Sequence, residues 1–271
     1  MKVATAILTG TRVDKENERM ALSSLDGLVN QVRSSYVPVL DEHDPRKPPL
    51  GRIADAFVRS TGDGEYEVVG TIELFEPNDA MLVKNETREM KIHHYPPDCL
   101  GISYDKGIKE EEELKVIGEI ASYLKTHPQE EVKKSLDPLT IITLSAAFVL
   151  GGIAKGFLSK VGSDGYEALK RNLGRLFTRR RAAQDRVLSF QFTVTQGEYE
   201  IEVSTFLTNP TDADIEAFFS TGLGQLDAMV PLYFQPDKGV KKIVLFFCDG
   251  KVDFQFAIHK SCFPMRVVEK K

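Results

Sequence analysis

Five histidines, His43, His93, His94, His127 and His259, are the side chains here best suited to move protons near neutral pH. His43 follows the apolar run Val37-Pro38-Val39-Leu40 and precedes Asp44-Pro45-Arg46-Lys47-Pro48-Pro49. A strand end running into a proline turn would hold that imidazole at a sheet edge. Sixty residues on, Ser103 stands in Leu100-Gly101-Ile102-Ser103-Tyr104, a short apolar strand whose glycine permits close backbone approach. A serine hydroxyl attacks a carbonyl only when an imidazole takes its proton and a third group holds that imidazole. His43 and Ser103 are thus a candidate base and nucleophile. His93-His94 has metal-ligand chemistry, with Asp98 and Cys99 close by. Neighbours on a strand point to opposite faces, however, and do not easily share an ion. Gly151-Gly152-Ile153-Ala154-Lys155-Gly156 lacks the spacing of a phosphate-binding loop. No metal or other cofactor is expected. His259 sits at a strand end, where a lone histidine reads as structural.

The elements that must position these residues come from a chain of 271 residues, 42% hydrophobic and 28% charged, which is the composition of a globular protein. A net charge of −5 argues against a general nucleic-acid binder, because neutralising phosphates takes a clustered basic excess. Three cysteines, Cys99, Cys248 and Cys262, form no CxxC pair. That pattern suits a reducing, cytoplasmic setting, and the first ten residues read as a strand rather than a secretory signal. Charge divides unevenly: residues 1–135 carry a net −7 and residues 136–271 a net +2.

The first part reads as mainly β, with strands at Ala4–Leu8 and Tyr36–Leu40 and a helix over Leu22–Ser34. A hairpin joins Ile53–Arg59 to Tyr66–Phe75 through Thr61-Gly62-Asp63-Gly64. Pro77-Asn78-Asp79 suits the start of a short helix through about Met90, and Leu114–Leu124 suits a strand or a helix. Pro138 to Ala154 is 17 residues without a charge. As a helix it would be about 25 Å long, short of a ~30 Å hydrocarbon core. Two readings follow for 138–158: a buried or partner-facing helix, or a membrane contact anchored by the basic stretch 170–186, with a basic amphipathic helix at Tyr166–Phe177. The last third alternates as a hairpin around Gln196-Gly197, then a helix over Asp212–Met229, then a hairpin around Asp249-Gly250. The expected fold class is α+β in three parts. These are a β-rich domain over 1–127, a linker with apolar and basic helices over 128–186, and a ββαββ-like module over 187–271.

Several blocks of the first part resemble the prohead (capsid maturation) serine peptidases of tailed bacteriophages, relatives of the herpesvirus assemblins. The opening strand with Gly10 and Asp14-Lys15-Glu16-Asn17-Glu18, the Val37–Ile53 segment with its His-Asp and Gly-Arg, the following hairpin, and Gly101-Ile102-Ser103 are similar to that family's segments. The resemblance covers residues 1–127. It implies a β-rich peptidase fold acting on protein substrates, including its own linker, with Ser103 as nucleophile and His43 as general base. Gly118-Glu119-Ile120-Ala121-Ser122 looks like the family's acidic motif after the serine and nominates Glu119 as the orienting group. His127 is the alternative third member, and a backbone N–H near Ser103, or Arg52, would stabilise the oxyanion. The rival expectation is a catalytically inactive protease-fold adaptor whose surfaces bind a protein partner, associated with a membrane through 138–158.

Overall fold

The computed structural model describes residues 1–13, 19–76, 88–131, 139–178 and 185–265. The fold is α+β and divides into two compact units. The smaller comprises 1–41, 47–91 and 258–264, and the larger comprises 42–46, 92–257 and the residues after 264. The first unit therefore stops well before residue 127. The expected nucleophile segment and all that follows to residue 257 belong to the other body.

The smaller unit is a four-stranded sheet with one helix. Strands β1 (Lys2–Gly10), β2 (Val37–Val39), β3 (Gly51–Ser60) and β4 (Tyr66–Leu74) are ordered β1-β4-β3-β2, and the pairs are antiparallel. Helix α1 (Leu22–Ser34) buries Leu25, Val29 and Val32, spaced four and three apart, onto Ala56 and Val68 of one sheet face. The β3–β4 turn works because Gly62 and Gly64 take φ of +86° and +84°, which a side chain would resist. The expected helix after Pro77 falls mostly on 77–87, outside the described residues, and Met90 forms a strand-like bridge to Tyr36 instead.

The larger unit is built on a mixed sheet, in the order β12-β11-β10-β9-β8-β7-β5-β6. Its strands are β5 (Gly101–Asp105), β6 (Gln129–Glu131), β7 (Thr140–Val149), β8 (Arg186–Gln196), β9 (Tyr199–Thr208), β10 (Val240–Cys248), β11 (Lys251–His259) and β12 (Pro264–Met265). Three parallel neighbours are joined through helices: β5 to β6 by α2 (Glu111–Tyr123), β7 to β8 by α3 (Ile153–Val161) and α4 (Ser163–Thr178), and β9 to β10 by α5 (Asp212–Ala217) and α6 (Leu223–Tyr233). The five residues between α5 and α6 form a π turn. The β10–β11 turn has φ of +52° at Asp249 and +75° at Gly250, as a type I′ hairpin requires.

The uncharged segment expected as a helix is for the most part β7, with α3 starting only at Ile153. Its β-branched residues suit a strand. Ile142, Leu144, Ala146 and Phe148 point to the main core, while Ile141 is buried on the opposite face. A strand paired on both sides and buried on both faces has no place for a charge, which is why it mimics an apolar helix in sequence. Among the described residues no helix is long and apolar enough to cross a membrane. Residues 114–124, weighed as strand or helix, are helix α2, with Val116, Ile117, Ile120 and Ala121 on its buried side and Glu111 to Glu113 in the first turn, where the helix dipole favours acids. The helices cover one sheet face around an aromatic cluster in which the Phe190 ring lies 4.3 Å from Phe218, tilted by 30°, and also meets Phe157, Phe192 and Phe219.

Candidate functional site

Alternation along the larger sheet sorts the expected peptidase residues. Ile102 points into the helix-covered core, so Ser103 points to the opposite face, level with Thr143 on β7 and Ser189 on β8. This second face is rich in hydroxyls, with Ser145, Thr193 and Ser204 in neighbouring rows. Ser103 is half-buried and its hydroxyl makes no hydrogen bond among the described residues. Glu119 lies on α2, which packs on the other face, and its carboxylate accepts from Arg175 Nη1 at 2.6 Å. The sheet itself separates Ser103 from Glu119.

His43 occupies a short turn where Glu42 and His43 both take positive φ, 51° and 56°. Its ring is exposed and has no hydrogen bond among the described residues. The adjacent Asp44 is consumed by Arg46, which clasps it through Nε at 3.0 Å and Nη2 at 2.9 Å and reaches Asp185 and Thr208 with Nη1. Asp185 is four residues along the chain from Ser189 of the Ser103 row, about 13 Å in strand terms, and Ser103 is two strands farther across. No hydrogen bond joins His43 to Ser103. His127 is exposed, two residues before Gln129, the β6 neighbour of Ser103. Arg52 belongs to the smaller unit, where it is buried. There its Nε donates to Glu73 at 2.6 Å, and Tyr36 is sandwiched between the guanidinium groups of Arg52 and Arg88 at 3.9 and 4.0 Å.

The residues that do converge lie farther along the same hydroxyl-rich face. Residues 93–95 run over it, held by Thr193 Oγ1 donating to the His93 carbonyl at 2.6 Å and by Tyr95 OH donating to Gln191 at 2.9 Å. Because this stretch is not a regular strand, both histidines reach β9. His93 Nδ1 is 3.1 Å from Glu202, and His94 Nδ1 is 3.2 Å from Glu200. Both rings are otherwise well exposed, at 71% and 69%. For His93, the Glu202 carboxylate at Nδ1 favours the proton on that nitrogen. Glu202 is 3% exposed and also takes Lys242 Nζ at 2.6 Å and the His93 backbone N–H at 3.2 Å. Burial pushes its carboxyl up, but the Lys242 charge and the His93 hydrogen bond outweigh that and hold it far below the usual range. The hydrogen bond to Glu202 raises His93 in turn, while burial raises Tyr95. Among the described residues no group of three or more His, Cys, Asp or Glu could hold a metal.

His94 and Glu200 line one wall of a cleft of about 680 Å³. Phe148, Val149 and Pro97 give it an apolar side, and Lys155 and Lys160 of α3 give it a basic rim. Lys160 donates to the Pro97 carbonyl and lies over the Phe148 ring, whereas Lys155 has no partner among the described residues. The α3 N-terminus is not a free anion site, because Asp227 accepts from the N–H groups of Ile153 and Ala154 at 2.7 and 3.1 Å. A second cavity of about 580 Å³, between α2, α4 and α5, is lined by charges most of which are paired, Arg171 being the exception among the described residues. Lys170 pairs with Glu167 and Glu216, Arg175 with Glu119, and Arg186 with Glu113.

Nothing in residue spacing marked Glu200, Glu202 or Lys242, since acids alternating with Ile201 and Val203 read as a solvated face. His259 does serve the fold. Its Nδ1 meets Ser261 Oγ at 2.7 Å and the Ser261 N–H at 3.1 Å, closing the turn after β11. No family model, no curated protein and no solved structure matches this chain.

Proposed function

We propose that this chain is a non-catalytic binding protein, a relative of the prohead peptidases in which the larger unit takes a segment of a partner protein into the cleft between residues 94–97 and α3. The separation of Ser103 from Glu119 by the full thickness of the sheet carries this reading. A triad needs its base and orienting carboxylate on the nucleophile's side, within hydrogen-bond reach. The cleft supports it with an apolar wall for a side chain and an unpartnered Lys155 at the rim for an acid, which is the lining of a site for a short apolar-acidic segment.

A fluorophosphonate probe and a peptide array test it. The full chain should resist labelling as fully as Ser103→Ala does. It should also enrich peptides that combine apolar and acidic residues, and lose them on Lys155→Glu or Val149→Asp, both at exposed positions. Labelling of the wild type that Ser103→Ala abolishes would restore the peptidase, and array binding unchanged in both cleft variants would remove the cleft.

A further inference from the structure

Strand β1 forms one edge of the smaller unit's sheet, and among the described residues nothing pairs with its outer side. It is nine residues long, with no proline and a single ionisable side chain, Lys2. Natural edge strands of this length are usually protected by prolines, inward charges or bulges. Here the one irregularity lies near the end, between Ile7 and Thr9. On the face away from α1, Val3 is 67% and Ile7 58% exposed, and Ile7 continues through Val69 on β4, which is buried at 5%, to Phe57 on β3, itself 43% exposed.

We infer that β1 pairs antiparallel with β1 of a second copy, joining two four-stranded sheets into one of eight. The residue order is self-complementary about Thr5. With Thr5 on the two-fold axis, Val3 stands opposite Ile7 of the other copy and Ala4 opposite Ala6, and the arrangement repeats on the far side of the axis, as an isologous contact demands. The outer face then carries a central row of threonines, because Thr5 is already level with Thr71. On each side of it runs an apolar row of Phe57, Val69 and Ile7 extended by the partner's Val3. Cross-strand pairs of β-branched residues are favourable.

Charge within the ladder does not oppose a copy of the same chain. In this register each Lys2 lies opposite Leu8, about 20 Å along the ladder from the other Lys2, so no like charges meet. The backbone N–H and C=O groups of the outer edge gain partners, and the apolar row is extended rather than interrupted.

Light scattering after gel filtration and disulfide trapping decide it. The wild-type chain should run at twice its 30.3 kDa mass, and Ile7→Lys should halve that mass with an unchanged circular dichroism spectrum. In a Cys99→Ser/Cys248→Ser background, which removes the two exposed thiols, Thr5→Cys should form a disulfide-linked dimer under mild oxidation and Lys2→Cys should not. A monomeric wild type, an Ile7→Lys variant that stays dimeric, or equal cross-linking at positions 2 and 5 would overturn it.

Discussion

Replacing Glu202 by Gln removes one charge from the middle of a buried cluster while preserving its size. In the native fold its carboxylate takes Lys242 Nζ at 2.6 Å, His93 Nδ1 at 3.1 Å and the His93 N–H at 3.2 Å. The variant leaves Lys242, whose side chain is 14% exposed, without its counter-charge. Breaking one member of a buried pair costs about 3–5 kcal/mol, and the partial exposure of Lys242 places this case at the low end, near ~3 kcal/mol. For a domain of this size that is a fall in Tm of roughly 6–12 °C at pH 7. The acid limb should change with it. Glu202 has a folded-state pKa below its usual value of 4.5, so its contribution is complete above that value and is lost as pH falls through the folded one. The wild type should therefore weaken as pH falls below about 4.5 more steeply than the variant does. His93 works in the opposite sense. Its pKa is raised, so its contribution is present below the unfolded value of 6.5 and fades as pH rises through the folded one. Urea denaturation followed by circular dichroism across pH, together with Lys242→Met and the double variant, measures the coupling. A Glu202→Gln variant within ~1 kcal/mol of wild type at pH 7, or one whose acid limb overlays the wild type's, would refute the reasoning.

Two further outcomes follow from the larger unit's core. Phe190→Ala, which deletes the centre of the Phe157–Phe192–Phe218–Phe219 cluster, should cost about 3–5 kcal/mol, read as a lower urea midpoint at unchanged slope. Asp227→Ala strips the acceptor from the first two N–H groups of α3 and should cost about 1–2 kcal/mol, with Asp227→Asn recovering part of it in the same assay.

Local patterns were well recorded in the residues. Leu22–Ser34 is a helix over the span its spacing predicts, and the turns at Gly62–Gly64, Gly197 and Asp249-Gly250 all use the positive φ that their residue types imply. After residue 186 the two hairpins stand where expected, but the single helix expected over Asp212–Met229 is α5, a π turn and α6, and the strands continue the sheet of β5–β7 instead of forming a separate module. The features that match depend on contacts within a few residues, so a single chain carries their whole signal. Residues 140–149 failed because burial on both faces erases the alternation that separates strand from helix.

The candidate site was legible in type and not in assembly. Residue type and spacing picked out His43, Ser103 and His93-His94 as chemically capable, the family resemblance nominated Glu119, and that much was legible in the sequence alone. Which of them meet was decided by sheet register. A one-residue step on β5 sends Ile102 into the core and Ser103 to the other face, and no local pattern shows that α2 covers the first face and residues 93–95 the second. The same placement turned Glu202 from an apparently solvated acid into a buried anion with a lysine and a histidine to hold it. Periodicity is a property of neighbours in the chain. A site is a property of elements brought together by burying their apolar faces, and only the tertiary structure records that.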